Sequence, residues 1–248
     1  MSCTRREVLA LTAAAAGGAL VDGACASAPA RPDPAGPPWM PLEPIAIDWA
    51  MREVATAQVH VEDLGDGRQR RTITHAPWVG ITPAMMLWYL GHVDQKLSWH
   101  GNDDVIAYRY WHPRDHIHFK IDGPFGPGCR FHIVEAFQRN PDFLIDDIFH
   151  VMKVDESGFE MEIRLGDVAV AHMNERFVRT AEGMRMVVEQ TIGTTDPLLR
   201  LPLQIIRWQH QALLEAWIRH NVEEVGNIPH FLPALYAAHQ GAAVSSGA

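Results

Sequence analysis

A histidine and a glutamate near the C-terminus give the strongest chemical signal in the sequence. In His220-Asn221-Val222-Glu223-Glu224 the first and last residues are four positions apart. On a helix they share one face, which also carries Ile206, His210, Leu213 and Trp217. An unpaired charge on a buried face is costly, whereas zinc accepts i and i+4 ligands from one helix. The pattern indicates a metal site; the alternative is a surface pair near Gly226.

A second carboxylate lies where an apolar side chain is expected. In Arg130-Phe131-His132-Ile133-Val134-Glu135-Ala136-Phe137, strand alternation puts Glu135 on the face of Phe131 and Ile133. A salt bridge to an inward arginine, or a bulge that turns Glu135 outward, would also account for it. Two inward carboxylates, one with a histidine partner, favour a shared metal ion.

A third ligand is expected from a histidine-rich segment. His112, His116 and His118 fall within seven positions around Pro113. Any of them could complete a set of two histidines and two glutamates. Because Ile117 and the apolar residues after it claim the core face, alternation argues against His116 unless it lies at the bend. Spacing alone leaves the choice open.

The surrounding pattern predicts an α+β fold. Short strands are predicted at 59–61, 70–74, 105–111, 116–121, 129–137, 148–154, 158–165, 168–173, 176–181 and 184–193, and a helix begins at Thr82. Regular short spacing favours an antiparallel sheet of hairpins. An amphipathic helix is predicted over about 197–225, ending at Gly226. We expect this helix to lie in the concave face of a curved sheet, with a ligand cavity between them.

The ends and the overall charge limit the class of protein. Residues 1–28, with Arg5 and Arg6 before an alanine-rich stretch, predict a twin-arginine export signal and a periplasmic or secreted protein. A lipid anchor at Cys25 is the less favoured alternative. We assign 29–40 to a linker, 41–240 to one domain and 241–248 to a disordered tail. A net charge of −9 without a basic stripe argues against nucleic acid, and no apolar run predicts a membrane span.

Several of these motifs together resemble a known enzyme family. Trp111-His112-Pro113-Arg114-Asp115-His116, the inward Glu135, the segment from His220 to Gly226, and Phe231-Leu232-Pro233-Ala234-Leu235-Tyr236 are similar to the 2,4-diacetylphloroglucinol hydrolase and phloretin hydrolase family. The similarity spans about residues 78–236. It implies a helix-grip fold like that of the Bet v 1 and START proteins. It also implies a zinc-dependent hydrolase that removes an acyl group from a phenolic ring.

The resemblance also implies which residues form the site. Zinc would be held by His116, Glu135, His220 and Glu224, with His112 as the alternative first histidine. His172 would be the catalytic proton shuttle, and Tyr108, expected on the preceding strand, would orient a phenolic oxygen of a small phenolic ketone substrate. Two features depart from the family: the spacing from the first histidine to Glu135 is shorter, and an export signal is present.

Two other classes of function stay open on the sequence. Helix-grip domains also serve as carriers, so the chain could be an exported binding protein for an apolar or polyketide ligand. It could also be a metal enzyme acting on another substrate, such as a cyclase or an ester hydrolase. The sequence leaves open whether the protein forms a homodimer.

Overall fold

The computed structural model describes residues 39–99, 101–102 and 104–245. The predicted export signal and residues 29–38 of the predicted linker lie outside these ranges. The strands are β1 (Gln58–Asp63), β2 (Gln69–Thr74), β3 (Trp78–Val79), β4 (His116–Asp122), β5 (Arg130–Ala136), β6 (Leu144–Asp155), β7 (Gly158–Leu165), β8 (Val168–Thr180) and β9 (Gly183–Ile192). The α-helices are α1 (Pro83–Leu90), α2 (Tyr108–Trp111), α3 (Arg200–Gln209) and α4 (Gln211–Ser245).

All the strands belong to one antiparallel sheet. Its order is β1-β2-β9-β8-β7-β6-β5-β4, and the short β3 pairs with the end of β9. From β4 to β9 each strand pairs with the next one in the chain, as the hairpin pattern predicted. The sheet curves around the long C-terminal helix, so the helix-grip prediction is confirmed.

Helix α4 fills the concave face of the sheet. Its buried residues Val222, Val225 and Ile228 belong to the same core as Phe131 on β5 and Phe159 on β7. Phe231, Leu232 and Leu235 belong to the same core, and the Phe231 ring contacts Tyr89 of α1 and Tyr110 of α2. Because burying a large apolar side chain contributes about 1.5–3 kcal/mol, this apolar stripe fixes the side of α4 that faces the sheet.

Helix α4 is longer than the sequence indicated. The prediction of one helix over 197–225 is wrong, because the chain breaks near His210 and then runs to Ser245. The helix therefore includes residues 241–245, which were assigned to a disordered tail. Pro229 lies inside it and cannot donate to the carbonyl of Val225. That carbonyl instead accepts a hydrogen bond of 2.8 Å from the Trp78 indole.

Gly226 serves close packing rather than helix termination. A Cβ at this position would lie 2.4 Å from Cδ of Arg52 and 2.5 Å from its Cγ. Since these distances are far below van der Waals contact, any larger residue would displace the whole Arg52 side chain from α4. The prediction that Gly226 ends the helix is therefore wrong, and the glycine marks where another segment lies directly against it.

Two predicted strand assignments also need correction. The predicted strand at 105–111 is wrong over Tyr108–Trp111, which forms the short helix α2. Asn227 of α4 explains this, because its amide donates to the carbonyls of Tyr110 at 2.7 Å and Trp111 at 3.1 Å. The strands predicted at 168–173 and 176–181 form the single strand β8. Among the described residues, no helix combines the length and apolar character needed to cross a bilayer.

Candidate metal centre

His116 reaches the inner face of the sheet through a bulge. On β4, His116 pairs with Glu135 but His118 pairs with Val134, so Ile117 is an extra residue. A bulge reverses the alternation at that point. Ile117 packs on the outer face with Val134, while His116 is buried on the inner side. Alternation argued against His116 as a ligand unless it lay at a bend in the chain. The bulge at the start of β4 is such a bend.

Glu135 lies where alternation predicted it. Its neighbours on β5, Phe131 and Ile133, belong to the main core between sheet and helix. Its carboxylate comes within 3.5 Å of Nε2 of His116 and within 3.6 Å of Nε2 of His220. The structure therefore brings one residue from each of β4, β5 and α4 to one point.

Glu224 approaches both histidines from the next turn of α4 but lies outside the compact group formed by His116, Glu135 and His220. Its Oε2 lies 3.4 Å from Nε2 of His116 and 3.7 Å from Nε2 of His220. Ligands at about 2.1 Å from a tetrahedral zinc ion are about 3.4 Å apart. The four nitrogen-to-oxygen separations, 3.4 to 3.7 Å, are of this size, with Glu135 approaching His116 through Oε1 and His220 through Oε2.

The two ring nitrogens that point into the cluster lack hydrogen-bond partners among the described residues. Nε2 of His116 and Nε2 of His220 are both buried and have no hydrogen-bond partner among the described residues. A buried polar atom without a partner costs about 1–3 kcal/mol. Two such atoms beside two buried carboxylates fit a metal ion in chemistry as well as in spacing. His116, Glu135 and His220 together meet the spacing of a metal-ligand group.

Both imidazoles are oriented through their other nitrogen. Nδ1 of His116 donates to the Tyr108 carbonyl at 2.7 Å, and Nδ1 of His220 donates to the Asp115 carboxylate at 3.0 Å. These bonds place the proton on Nδ1 and leave the lone pair of Nε2 directed at the cluster. Partners of this kind fix the tautomer of metal-binding histidines.

Asp115 ties His220 to the turn that follows β5. Its carboxylate accepts the backbone N–H groups of Gln138 at 3.0 Å and Arg139 at 3.2 Å. Both of these residues have φ of 56°, which is uncommon for residues other than glycine. Burial opposes ionisation of Asp115, but the hydrogen bond from His220 and nearby imidazoles lower its pKa to about 2. Asp115 is therefore a fixed negative charge behind the cluster.

The carboxylates of the cluster have partners too. The Tyr108 hydroxyl donates to Glu135, and Asn221 donates to Glu224 at 2.9 Å. Tyr108 was expected to orient a substrate oxygen from a strand; it lies on α2, and its hydroxyl contacts Glu135. His75 in turn contacts the Asn221 carbonyl oxygen at 3.1 Å. Each of the four candidate ligands is thus held by a neighbouring polar group.

The electrostatics of the cluster show competition for protons. Burial raises the pKa of Glu224 to about 8, and burial also raises the pKa of Glu135. Burial acts to lower the pKa of His220, but Glu135 and Glu224 outweigh it and raise that pKa to about 9. Burial and the neighbouring imidazoles lower the pKa of His116. A cation among these groups would replace the protons they now share.

His112, the alternative first ligand, makes different contacts. Its Nε2 lies 3.2 Å from the Glu223 carboxylate, and its Nδ1 accepts the backbone N–H of Asp115 at 3.1 Å. His112, Asp115 and His220 also meet the spacing of a metal-ligand group. However, both ring nitrogens of His112 and Nδ1 of His220 already have hydrogen-bond partners, so the structure favours His116.

His172 does not join the cluster. Ala171 pairs with Ile163 and Ala169 with Arg164, so the intervening Val170 is an extra residue in β8. Because of this extra residue, the alternation that put His172 on the same face as Val170 gave the wrong face of the sheet for His172. His172 lies 3.8 Å from Glu160 and is 38% exposed, opposite the core face of β8. The prediction that its side chain faces the cavity is wrong.

A buried glutamate on β8 was missed. Glu175 is 3% exposed and lies between Met173 and Phe177, both packed against the core. Its carboxylate atom Oε2 has no hydrogen-bond partner among the described residues. The signal that identified Glu135, a carboxylate alternating with apolar residues, was present here and would have identified it.

Comparisons with known proteins give structural similarity alone. No family model matches the chain, and no curated protein does. Protein Ms6760 of Mycobacterium smegmatis is similar in structure, with a TM-score of 0.44, 15% identity, and coverage of 73% of this chain and 99% of that one. Protein NE0264 of Nitrosomonas europaea has a TM-score of 0.43, 13% identity, and coverage of 68% and 97%. Ara h 8.0201 has a TM-score of 0.34, 17% identity, and coverage of 62% and 97%.

Proposed function

We propose that this protein is a zinc-dependent hydrolase that cleaves the C–C bond between an acyl carbonyl and a phenolic ring. The observation that supports it is the convergence of His116, Glu135, His220 and Glu224 around two buried ring nitrogens without partners. The sequence resemblance to acylphloroglucinol hydrolases supplies the reaction. We further propose export through the signal predicted at residues 1–28.

Each residue has a role in this proposal. His116, Glu135, His220 and Glu224 hold the metal; when bound, zinc supplies Lewis acidity at the cavity wall. Asp115 keeps the His220 proton on Nδ1, and the Tyr108 carbonyl does the same for His116. The Tyr108 hydroxyl fixes the orientation of Glu135.

The lining of the concave face suits an aromatic substrate. Apolar side chains from four neighbouring strands are buried there: Phe119, Phe131, Ile133, Phe149 and Phe159. They exclude water from the substrate ring, and offset or edge-to-face contacts between rings stabilise an aromatic ligand. An aromatic ketone could therefore place its polar carbonyl near the cluster and its ring against these side chains.

The same lining supports a second candidate function, an exported carrier. An apolar cavity gripped by a helix binds apolar ligands without any chemistry. A carrier of this kind would need no metal, so the two candidates differ in what the buried polar cluster does.

Metal content and turnover on the purified protein separate the candidates. We expect about one zinc per chain and release of free carboxylic acid from acylphloroglucinols. Glu224→Ala should abolish both, whereas Glu160→Gln on the outer face of β7 should change neither. A zinc-free protein in which Glu224→Ala still binds apolar ligands would establish the carrier. Zinc without release of acid would indicate a metal enzyme with another substrate.

A further inference from the structure

Glu175 is buried on the inner face of the sheet but does not belong to the proposed ligand set. On β8 it pairs with Phe159 of β7 and Val188 of β9, and both are core residues of the inner face. Its charge environment is dominated by Glu224 of α4 and Glu135 of β5. Glu175 is therefore a third carboxyl group on the cavity side of the sheet, close enough to the candidate metal centre for the charges to interact.

No protein group accounts for the burial of this carboxyl. Oε2 of Glu175 is inaccessible and has no hydrogen-bond partner, and no described cation forms an ion pair with the side chain. Arg71, also buried on the inner face, differs because it donates to Gln69 and to Gln190. A buried carboxylate oxygen without a partner is costly, so the surroundings of Oε2 favour the neutral acid.

Resting on the proposed hydrolase function, we infer that Glu175 is the general acid that protonates the ring carbon from which the acyl group departs. The site needs such a donor, because the leaving ring must gain a hydrogen where it loses the acyl group. His172 was predicted for this role, but it lies on the outer face. Among the described residues, Glu175 is the inward acid outside the ligand set with a polar atom that lacks a partner.

The proposed step balances in atoms and electrons. The O–H bond of Glu175 breaks, and its proton forms a C–H bond at the ring carbon that bears the acyl group. Water attacks the acyl carbon and returns its proton to the Glu175 carboxylate. The C–C bond then breaks, and its electron pair restores the aromatic ring. The products are the free phenol and a carboxylic acid, and Glu175 ends protonated.

The electrostatic environment supports this role. Burial, with added repulsion from Glu224 and Glu135, holds the pKa of Glu175 well above its ordinary value. When a cation neutralises those two carboxylates, burial remains as the principal cause. A carboxylic acid in such an environment stays protonated near neutral pH and can donate, as buried catalytic acids do.

The decisive variant is Glu175→Gln in the zinc-loaded protein. Glutamine keeps the size of the side chain but has no acidic proton. We expect kcat to fall by about 100- to 10,000-fold, the range for loss of a general acid, while zinc content and thermal stability stay unchanged. Glu160→Gln is the matched control, because it makes the same change on the outer face of the adjacent strand.

A second measurement tests the protonation state without turnover. Infrared difference spectra at neutral pH should contain a carbonyl band from a buried carboxylic acid that is missing in Glu175→Gln and present in Glu160→Gln. Persistence of that band in Glu175→Gln, or a kcat within about threefold of wild type, would overturn the inference. A wild-type protein that releases no acid from acylphloroglucinols would instead refute the proposed hydrolase function, and with it this role.

Discussion

Two groups of histidines and carboxylates lie on opposite faces of the same strands. On the inner face, His116 and Glu135 meet His220 and Glu224 of α4. On the outer face, His118 and His132 lie beside Asp146, and Nε2 of His132 contacts that carboxylate at 2.8 Å. The residue types are the same, yet the surroundings are different.

Burial and unmet hydrogen bonds separate the two groups. His132 and Asp146 are about one-third exposed, at 31% and 34%, so water can solvate them. The inner imidazoles are buried, and each has one nitrogen without a partner among the described residues. A count of possible ligands therefore does not define a metal site. A site requires atoms whose burial is unfavourable until a cation is present.

Removing one inner histidine should give the largest effect. His220→Ala deletes a candidate ligand. Loss of a group that only orients a ligand lowers metal affinity by up to about 100-fold, so we expect the zinc affinity of this variant to fall by more than that. His132→Ala is the outer control and should keep full zinc content. Metal analysis after dialysis against a weak chelator measures both. Equal loss of zinc from the two variants would break the comparison.

Removing a group that orients a ligand should have a smaller effect. Asp115→Asn weakens the acceptor for Nδ1 of His220 and for two backbone N–H groups. We expect zinc affinity to fall about 10- to 100-fold. Asp146→Asn makes the same change beside the outer histidines and should leave affinity unaltered. Competition with a fluorescent zinc chelator resolves this range, and unchanged affinity in Asp115→Asn would show that His220 needs no such support.

Zinc affinity should depend on pH at the inner group. Without metal, the charges of Glu135 and Glu224 raise the pKa of His220 to about 9, and burial raises that of Glu224 to about 8, so the cluster holds protons near neutral pH. Zinc must displace these protons, so its affinity rises with pH, by about tenfold per pH unit for each proton released. Calorimetry in buffers of different ionisation enthalpy counts those protons. Binding without proton release would contradict the assigned environment.

The smallest effect is expected at His172. Its imidazole faces Glu160 on the outer side of β8, away from the cluster. We expect His172→Ala to change zinc affinity and kcat by less than about twofold, since surface substitutions are usually within 0.5 kcal/mol. A large loss of turnover in this variant would restore the sequence-based role and undermine the inner–outer comparison.

Much of the fold and most of the proposed ligand set could be predicted from periodicity. Glu135, His220 and Glu224 lie in regular stretches of strand or helix, so alternation and helical spacing place them correctly. His116 and His172 lie next to extra residues in β4 and β8. Those extra residues are Ile117 and Val170, and neither is the glycine that often marks a bulge. Periodicity could not show on which side these histidines lie.

Other errors came from contacts distant in sequence. The segment 108–111 has strand-forming aromatic residues, but Asn227 of α4 binds the carbonyls of its helical form. Gly226 was taken for a helix end. Its actual role is close packing against Arg52, which is 174 positions away in the sequence and so leaves no local signal. Glu175 was missed because it falls between the predicted strands 168–173 and 176–181, whereas β8 runs unbroken through it.

The extra residue in β4 governs how many imidazoles the cavity receives. If β4 were regular from His116 to His118, these two histidines would share the solvent side of the strand, and β5 alone would supply a ligand from the sheet. Beyond the bulge, pairing continues undisturbed from His118 to Asp122. The bulge therefore turns one histidine to the inner face while the rest of the strand keeps its pairing. On this scaffold, one local irregularity decides whether the sheet offers one candidate ligand or two to α4.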